Sequence, residues 1–305
     1  DPQQFSRLPH STTLPFLQLC VQIYACFSLL QKISLKYLYY IQQNSIYMKL
    51  QSLFYTTYFI IISIFFSDLI IPNYEKFSSI EGTLNYRILY PNNFDSSNKY
   101  PLHIFLHGIG ERGSDNELQL TYVDKVFLNQ KNYENYPAIV VFPQSPLNDN
   151  WSSRILTENI KSQVFPENEK PTNSLKLVMK LMDSLVNETY VNNNKVYLSG
   201  LSNGAMGSFE LLKHRPNMFA SAVLICGGGN PLWAKEFAKS TPVWIAHGSK
   251  DKVVHPDFSL KMTEAIIREG GSPKLTLYEN VYHDSWNNVF DDPGFLKWIY
   301  SHSRN

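Results

Sequence analysis

Residues 197–207 read YLSGLSNGAMG, and within them Gly200-Leu201-Ser202-Asn203-Gly204 sets a hydroxyl between two residues that have no side chain. An apolar run precedes this string and a helix-forming run follows it. A serine at such a junction sits on a sharp strand-to-helix turn, where only tiny neighbours let the two elements approach. The turn lifts the hydroxyl clear of the strand, and the helix N-terminus offers free N–H groups to whatever the hydroxyl attacks. Ser202 is therefore the candidate nucleophile. A serine hydroxyl is weak at neutral pH and needs a base, which needs an orienting acid. The partners are sought after the serine, acid first and histidine second, each in the loop after a later strand, an order known for serines on such strand-to-helix turns. Asp251 in HGSKDKVVHP and His283 in ENVYHDSW occupy those two places.

The other candidates fit less well. Asp257 opens the next helix and reads as its cap. Asp284 adjoins the base and points away from it, His255 belongs on the surface, and His302 is terminal. His107 and His247 each precede a glycine at a strand end, where a histidine serves structure or lines a pocket. An acyl-transfer site also needs two N–H donors for the oxyanion. Asn203, directly after the serine, supplies one. LHIFLHGIGERGSDN, from residue 102, supplies the other, with Ile109 as donor and Gly110 as the second choice. The substring GIGERG also matches G-x-G-x-x-G, but no acidic residue follows a second strand at the distance a dinucleotide site requires. Trp151 and His107 are expected beside the serine as substrate-binding residues, with core packing the other reading of Trp151. Trp286 reads as packing beneath the histidine loop. Substrate fit would be set by the loops Gly110–Asn116, Asn148–Lys161 and Asn230–Lys239.

The elements that must position these groups are short and apolar. Leu102–Leu106, Ala138–Phe142, Lys195–Leu198, Ala222–Cys226, Val243–Ala246 and Leu275–Tyr278 are mostly apolar throughout rather than alternating. That is the signature of strands covered on both faces, as in a parallel sheet. Between them Leu175, Val178, Met179, Met182, Leu185 and Val186 form one helical stripe. Asn203–His214, Phe258–Glu269 and Pro293–Ser301 are further helices, stopped or started by proline and glycine. Ser79–Pro91 reads as one or two antiparallel edge strands. The fold class expected is α/β, a mostly parallel, doubly wound sheet with helices on both faces, in one catalytic domain over residues 72–305.

The chain has 305 residues, 44% hydrophobic and 17% charged, with a net charge of +1. Nothing in that balance points to nucleic acid. The cysteines Cys20, Cys26 and Cys226 have no metal-site spacing, and only Cys226 lies in the expected domain, which excludes an internal disulfide framework there. No metal and no organic cofactor is called for. From Met48 the chain reads as a secretory leader over 48–67: Lys49 followed by a 14-residue apolar run, Leu53–Phe66. That implies a secreted or periplasmic protein; an uncleaved membrane anchor is the alternative, and Phe65 makes the cleavage site poor. Residues 1–47, with a second apolar run at Leu14–Leu30, stay unassigned. They read as upstream sequence, or alternatively as part of a membrane hairpin.

Five blocks in order, YPLHIFLHGIGERGSDN, VFPQSPLNDNW, VYLSGLSNGAMGSFEL, PVWIAHGSKDKVV and YHDSWNNVFDDPGFLKWIYS, resemble the secreted feruloyl and acetyl xylan esterases of the α/β-hydrolases. Polyhydroxybutyrate depolymerases and bacterial proteins labelled as predicted peptidases, of prolyl-oligopeptidase-like type, are similar. The resemblance covers about residues 79–302. It implies an α/β-hydrolase fold with Ser202 as nucleophile, Asp251 as acid, His283 as base and oxyanion donors around Ile109. It also implies ester hydrolysis through an acyl-enzyme, on small esters or acyl groups linked to polysaccharide. A serine peptidase and a non-catalytic binding protein on the same fold are the alternatives.

Overall fold

The computed structural model describes Ser28 and residues 52–57, 73–80, 82–155, 163–168 and 170–304. The chain divides into two compact units, 1–69 and 70–305. In the first, Ser52–Thr57 are helical; the rest of the expected leader, most of the apolar run Leu14–Leu30, and Cys20 and Cys26 lie outside the described residues. Among the described residues no helix is long and apolar enough to cross a membrane.

Among the described residues the second unit is built on eight strands: β1 Asn73–Ser79, β2 Gly82–Leu89, β3 Tyr100–Leu106, β4 Ile139–Gln144, β5 Val191–Leu201, β6 Ser221–Ile225, β7 Val243–Gly248 and β8 Lys274–Tyr278. They form one sheet in the order β1-β2-β4-β3-β5-β6-β7-β8. β1, β2 and β4 are antiparallel neighbours, and every pair from β4 through β3 to β8 is parallel. The helices are α1 Asp124–Phe127, α2 Gln130–Asn135, α3 Asn173–Leu185, α4 Asn203–His214, α5 Ala234–Phe237, α6 Asp257–Arg268, α7 Trp286–Asp291 and α8 Gly294–Tyr300.

The unbroken apolar strands are explained by two cores, one on each face. Leu102, Ile104, Leu198, Leu224 and Ile245 join α3, α4 and α6 through Met182, Phe209 and Met262. Phe105, Tyr197, Val223 and Trp244 meet α1, α7 and α8 through Phe127, Phe290 and Phe295. Successive strand residues point to opposite faces, so a strand covered on both sides cannot alternate in polarity. A buried polar residue inside this arrangement needs partners. His103 has them, with Nδ1 2.9 Å from the Tyr300 hydroxyl and Nε2 2.7 Å from Ser199 Oγ. Burial pushes its pKa down to about 3.

Three expectations are corrected. The edge strands begin earlier than Ser79, because β1 and β2 form a hairpin in which Ser79 pairs with Gly82. β8 is not covered on both faces: it is the outer strand, paired only with β7, and Leu275 and Leu277 are exposed. Asp257 does not cap its helix; it is the first residue of α6, makes no capping bond, and faces His255 Nδ1 at 3.3 Å. The helix after the serine runs over Asn203–His214 as expected.

At the junction of β5 and α4 the backbones of strand and helix approach closely. A Cβ on Gly200 would lie 2.6 Å from both the carbonyl carbon and oxygen of Gly204, and one on Gly204 would overlap the Leu106 carbonyl oxygen of β3. Gly110, in the loop after β3, has nothing within 4 Å of a Cβ position. Gly204→Ala should therefore destabilise the protein by roughly 2–4 kcal/mol or prevent folding, since the clash is with backbone. Gly110→Ala should stay within about 0.5 kcal/mol of wild type, both read by urea unfolding.

Candidate active site

Ser202 occupies the turn that those two glycines permit. Its backbone has φ 52° and ψ −116°, a left-handed conformation that costs a non-glycine residue roughly 1–3 kcal/mol. The turn is held from both sides: Ser202 N–H donates to Ile225 O of β6 at 2.8 Å, and Met206 N–H donates to Ser202 O at 3.1 Å. Asn203 is the first residue of α4, so its amide has no acceptor within the helix.

The structure brings Ser202, His283 and Asp251 together, from the loops after β5, β8 and β7. His283 Nε2 is 2.9 Å from Ser202 Oγ, and His283 Nδ1 is 2.7 Å from Asp251 Oδ2. A carboxylate can only accept, so Nδ1 carries the proton and Nε2 receives the serine hydroxyl's. Asp251 is buried, while His283 keeps part of its ring open to solvent. Burial alone would raise the Asp251 pKa. Hydrogen bonds from His247 and His283, the His283 charge and the Val254 N–H outweigh it and hold the carboxyl well below the usual range. Trp286 meets the His283 ring edge-on, 5.4 Å between centroids, which agrees with its expected packing against the histidine loop.

Ile109, expected as the opposing donor, opens the turn Ile109–Glu111 that follows β3, and its side chain is exposed. A Cβ on the preceding Gly108 would lie 3.8 Å from Ser202 Cβ, so this loop runs alongside the serine. Arg112 ties it outward: Nε donates to Ile109 O at 2.9 Å and Nη1 to Leu147 O at 2.9 Å. Gln144, at the end of β4, donates to Glu111 O at 3.2 Å and accepts from Asn116 N–H at 2.7 Å.

The two expected substrate-binding residues are corrected. Trp151 and His107 are 0% and 1% exposed, so neither side chain forms a wall that a substrate could touch. Trp151 Nε1–H donates to His107 O at 3.0 Å, and its backbone N–H donates to Asn203 Oδ1 at 3.1 Å. His107 Nδ1 faces Gly108 O at 2.6 Å and Nε2 accepts from Ser145 N–H at 3.0 Å. These contacts fit the neutral ring, and burial pushes its pKa down to about 4. Both residues buttress the loop that carries Ile109. Type and position in the sequence put them near the serine, but could not show which way they face.

With this geometry in place, comparison with known proteins decides the family. The phospholipase/carboxylesterase family model matches residues 95–299, which includes Ser202, Asp251, His283, Asn203, Ile109, Trp151 and His107. The chain belongs to the phospholipase/carboxylesterase family. It is similar to a thermostable esterase of known structure, at 30% identity and TM-score 0.68 over 77% of this chain and 64% of that one. An 84-residue stretch is 29% identical to a bifunctional acetylxylan esterase/xylanase of Neocallimastix patriciarum, covering 28% of this chain and only 12% of that protein. A ferulic acid esterase of the anaerobic fungus Anaeromyces mucronatus shares the fold at 16% identity, TM-score 0.52, over 76% of this chain and 91% of that one. The Pyrococcus horikoshii acylaminoacyl peptidase shares it at 13% identity, TM-score 0.54, over 78% and 42%.

One residue of this carboxylesterase-family site escaped the sequence reading. Glu111 is buried under the Ile109 loop, and its Oε2 has no hydrogen-bond partner. Burial pushes its pKa up to about 7, against the pull of the Gly108 and Glu111 N–H groups. The only signal was a carboxylate amid glycines in GIGERG, which reads equally well as a solvated loop. Because the folded state holds this proton more tightly than the unfolded chain, stability falls as pH rises from about 4.5 to about 7. Glu111→Gln, which cannot ionise, should lack that fall, leaving the variant up to about 3 kcal/mol more stable relative to wild type at pH 8 than at pH 4. Urea unfolding of both proteins at the two pH values checks this.

Proposed function

We propose that this protein is a serine carboxylesterase that removes acyl groups through an acyl-enzyme. The observation that carries the reading is the continuous hydrogen-bonded chain from Ser202 Oγ through His283 to the buried Asp251, with Ser202 on a strained turn at the head of a helix. In this reading His283 Nε2 takes the hydroxyl proton as Oγ attacks the acyl carbon. The oxyanion that forms is stabilised by the N–H groups of Asn203 and Ile109, fixed in place before the reaction begins. Collapse breaks the bond to the alkoxide, which leaves with the proton from His283 and gives an alcohol and an acylated Ser202. Water then attacks the same carbon, His283 accepting its proton, and the carboxylic acid departs as Ser202 regains its hydrogen. Asp251 stays ionised throughout and stabilises the imidazolium.

The substrate class proposed is an acetyl or feruloyl ester on carbohydrate, supported by the names of the acetylxylan and ferulic acid esterases to which the chain is similar. Small esters belong to the same chemistry. The apolar run after Met48 supports export of the enzyme to where such polymers lie.

Hydrolysis of p-nitrophenyl esters from acetate to laurate, of methyl ferulate and of acetylated xylan tests this with the full chain. Wild type should turn over the short esters and at least one carbohydrate-type substrate. Ser202→Ala should lose roughly 10⁴-fold or more in kcat. Activity that survives in Ser202→Ala, or a folded wild type that cleaves only peptide amides, would contradict the reading.

A further inference from the structure

His247 ends the inner part of β7, four residues before Asp251, and its ring is buried. Its Nε2 lies 3.1 Å from Asp251 Oδ2 and 2.9 Å from the Val254 carbonyl oxygen. Both neighbours are acceptors only, so Nε2 must carry a proton. Nδ1 lies 2.7 Å from Ser259 Oγ of α6, which in turn is 3.1 Å from the Gly227 carbonyl. The oxygen that His247 approaches is the one that accepts from His283, at 2.7 Å. The other oxygen, Oδ1, accepts the N–H groups of Val253 and Val254 at 2.8 and 2.9 Å. One carboxylate is thus shared by two imidazoles, of which only His283 reaches the serine.

We propose that His247 is a positioning residue for the hydrolysis: its Nε2–H fixes the Asp251 carboxylate in line with His283 and draws off part of the charge that carboxylate presents to it. The inference rests on the esterase reading above. The Val253 and Val254 amides hold Oδ1 alone, and the group could still swing Oδ2 away from His283 about that anchor. A donor from β7 on Oδ2 removes this freedom. The same donor competes with His283 for negative charge, which weakens the carboxylate's pull on the imidazolium. The titratable groups facing Asp251 are the two imidazoles and the buried Cys226 thiol, whose pKa burial and the Asp251 charge push up. The thiol therefore adds no charge of its own.

Two measurements test this. Long-range ¹H–¹⁵N correlation on histidine-labelled wild type near neutral pH reads the protonation of each ring nitrogen directly. His247 Nε2 should be protonated; an unprotonated Nε2 overturns the inference whatever the activity. Kinetics on a p-nitrophenyl ester then compare wild type, His247→Leu and His247→Gln. His247→Leu should lose roughly 10- to 100-fold in kcat with KM nearly unchanged, the worth of one hydrogen bond to a charged group. The acid limb of its kcat/KM profile should move up by about half a pH unit. His247→Gln, which keeps an N–H in reach of Oδ2, should recover most of kcat and the wild-type limb. Wild-type kcat in His247→Leu, or a loss with an unshifted limb that Gln does not relieve, overturns the proposal. An inactive wild type would instead overturn the esterase reading. Should His247→Leu not fold, the nitrogen measurement decides alone.

Discussion

A charge inside the protein organises the carboxyl edge of this sheet. The Asp251 side chain is buried, and an unpaired carboxylate there would cost several kcal/mol. Four donors offset the cost, and they come from different places: two backbone amides of its own loop, His247 at the end of β7, and His283 from the loop after β8. Satisfying one charge therefore fixes the spacing of two strand ends and the rotation of two rings. His283 is aimed at Ser202 as a consequence. Loops already joined by the backbone bonds Ser249 N–H to Tyr278 O and Lys250 N–H to Val281 O are tied further by sharing one acceptor.

On the other side of the serine the constraint is steric. α4 can leave β5 at the angle required only if Gly200 and Gly204 have no side chains, and the strain falls on Ser202. The loop that faces it is held by a separate set of polar contacts: His107, Trp151, Arg112, Gln144 and the backbone of residues 111–116. None of these side chains need touch a substrate. They hold Ile109 in place, which is what the oxyanion role proposed for its N–H requires, since such donors must not have to reorganise.

Much of this was legible in the residues. The strand-by-strand apolar runs, the proline and glycine stops, and G-x-S-x-G at a strand–helix junction are local signals with local causes, and Ser202, Asp251 and His283 lie in the loops those signals mark. What remained hidden was orientation and burial. Trp151 is near the serine but turned into the core, and Glu111 sits among glycines yet is buried with an unpartnered oxygen. β8 reads KLTLY, and the Lys274 and Thr276 that interrupt its leucines fit the outer position that the sheet order gives it. His247 and Asp251 are four residues apart, but nothing in that spacing says that His247 Nε2 meets the same Asp251 oxygen as His283 Nδ1.

The claim on which the account depends is that Ser202 is a nucleophile activated by His283. A fluorophosphonate probe, with the adduct mapped by mass spectrometry on the full chain, tests it without any assumption about substrate. The account predicts a single adduct on Ser202 in wild type and none in His283→Ala over the same time. No adduct on folded wild type, an adduct on another serine, or equal labelling without His283 would contradict it.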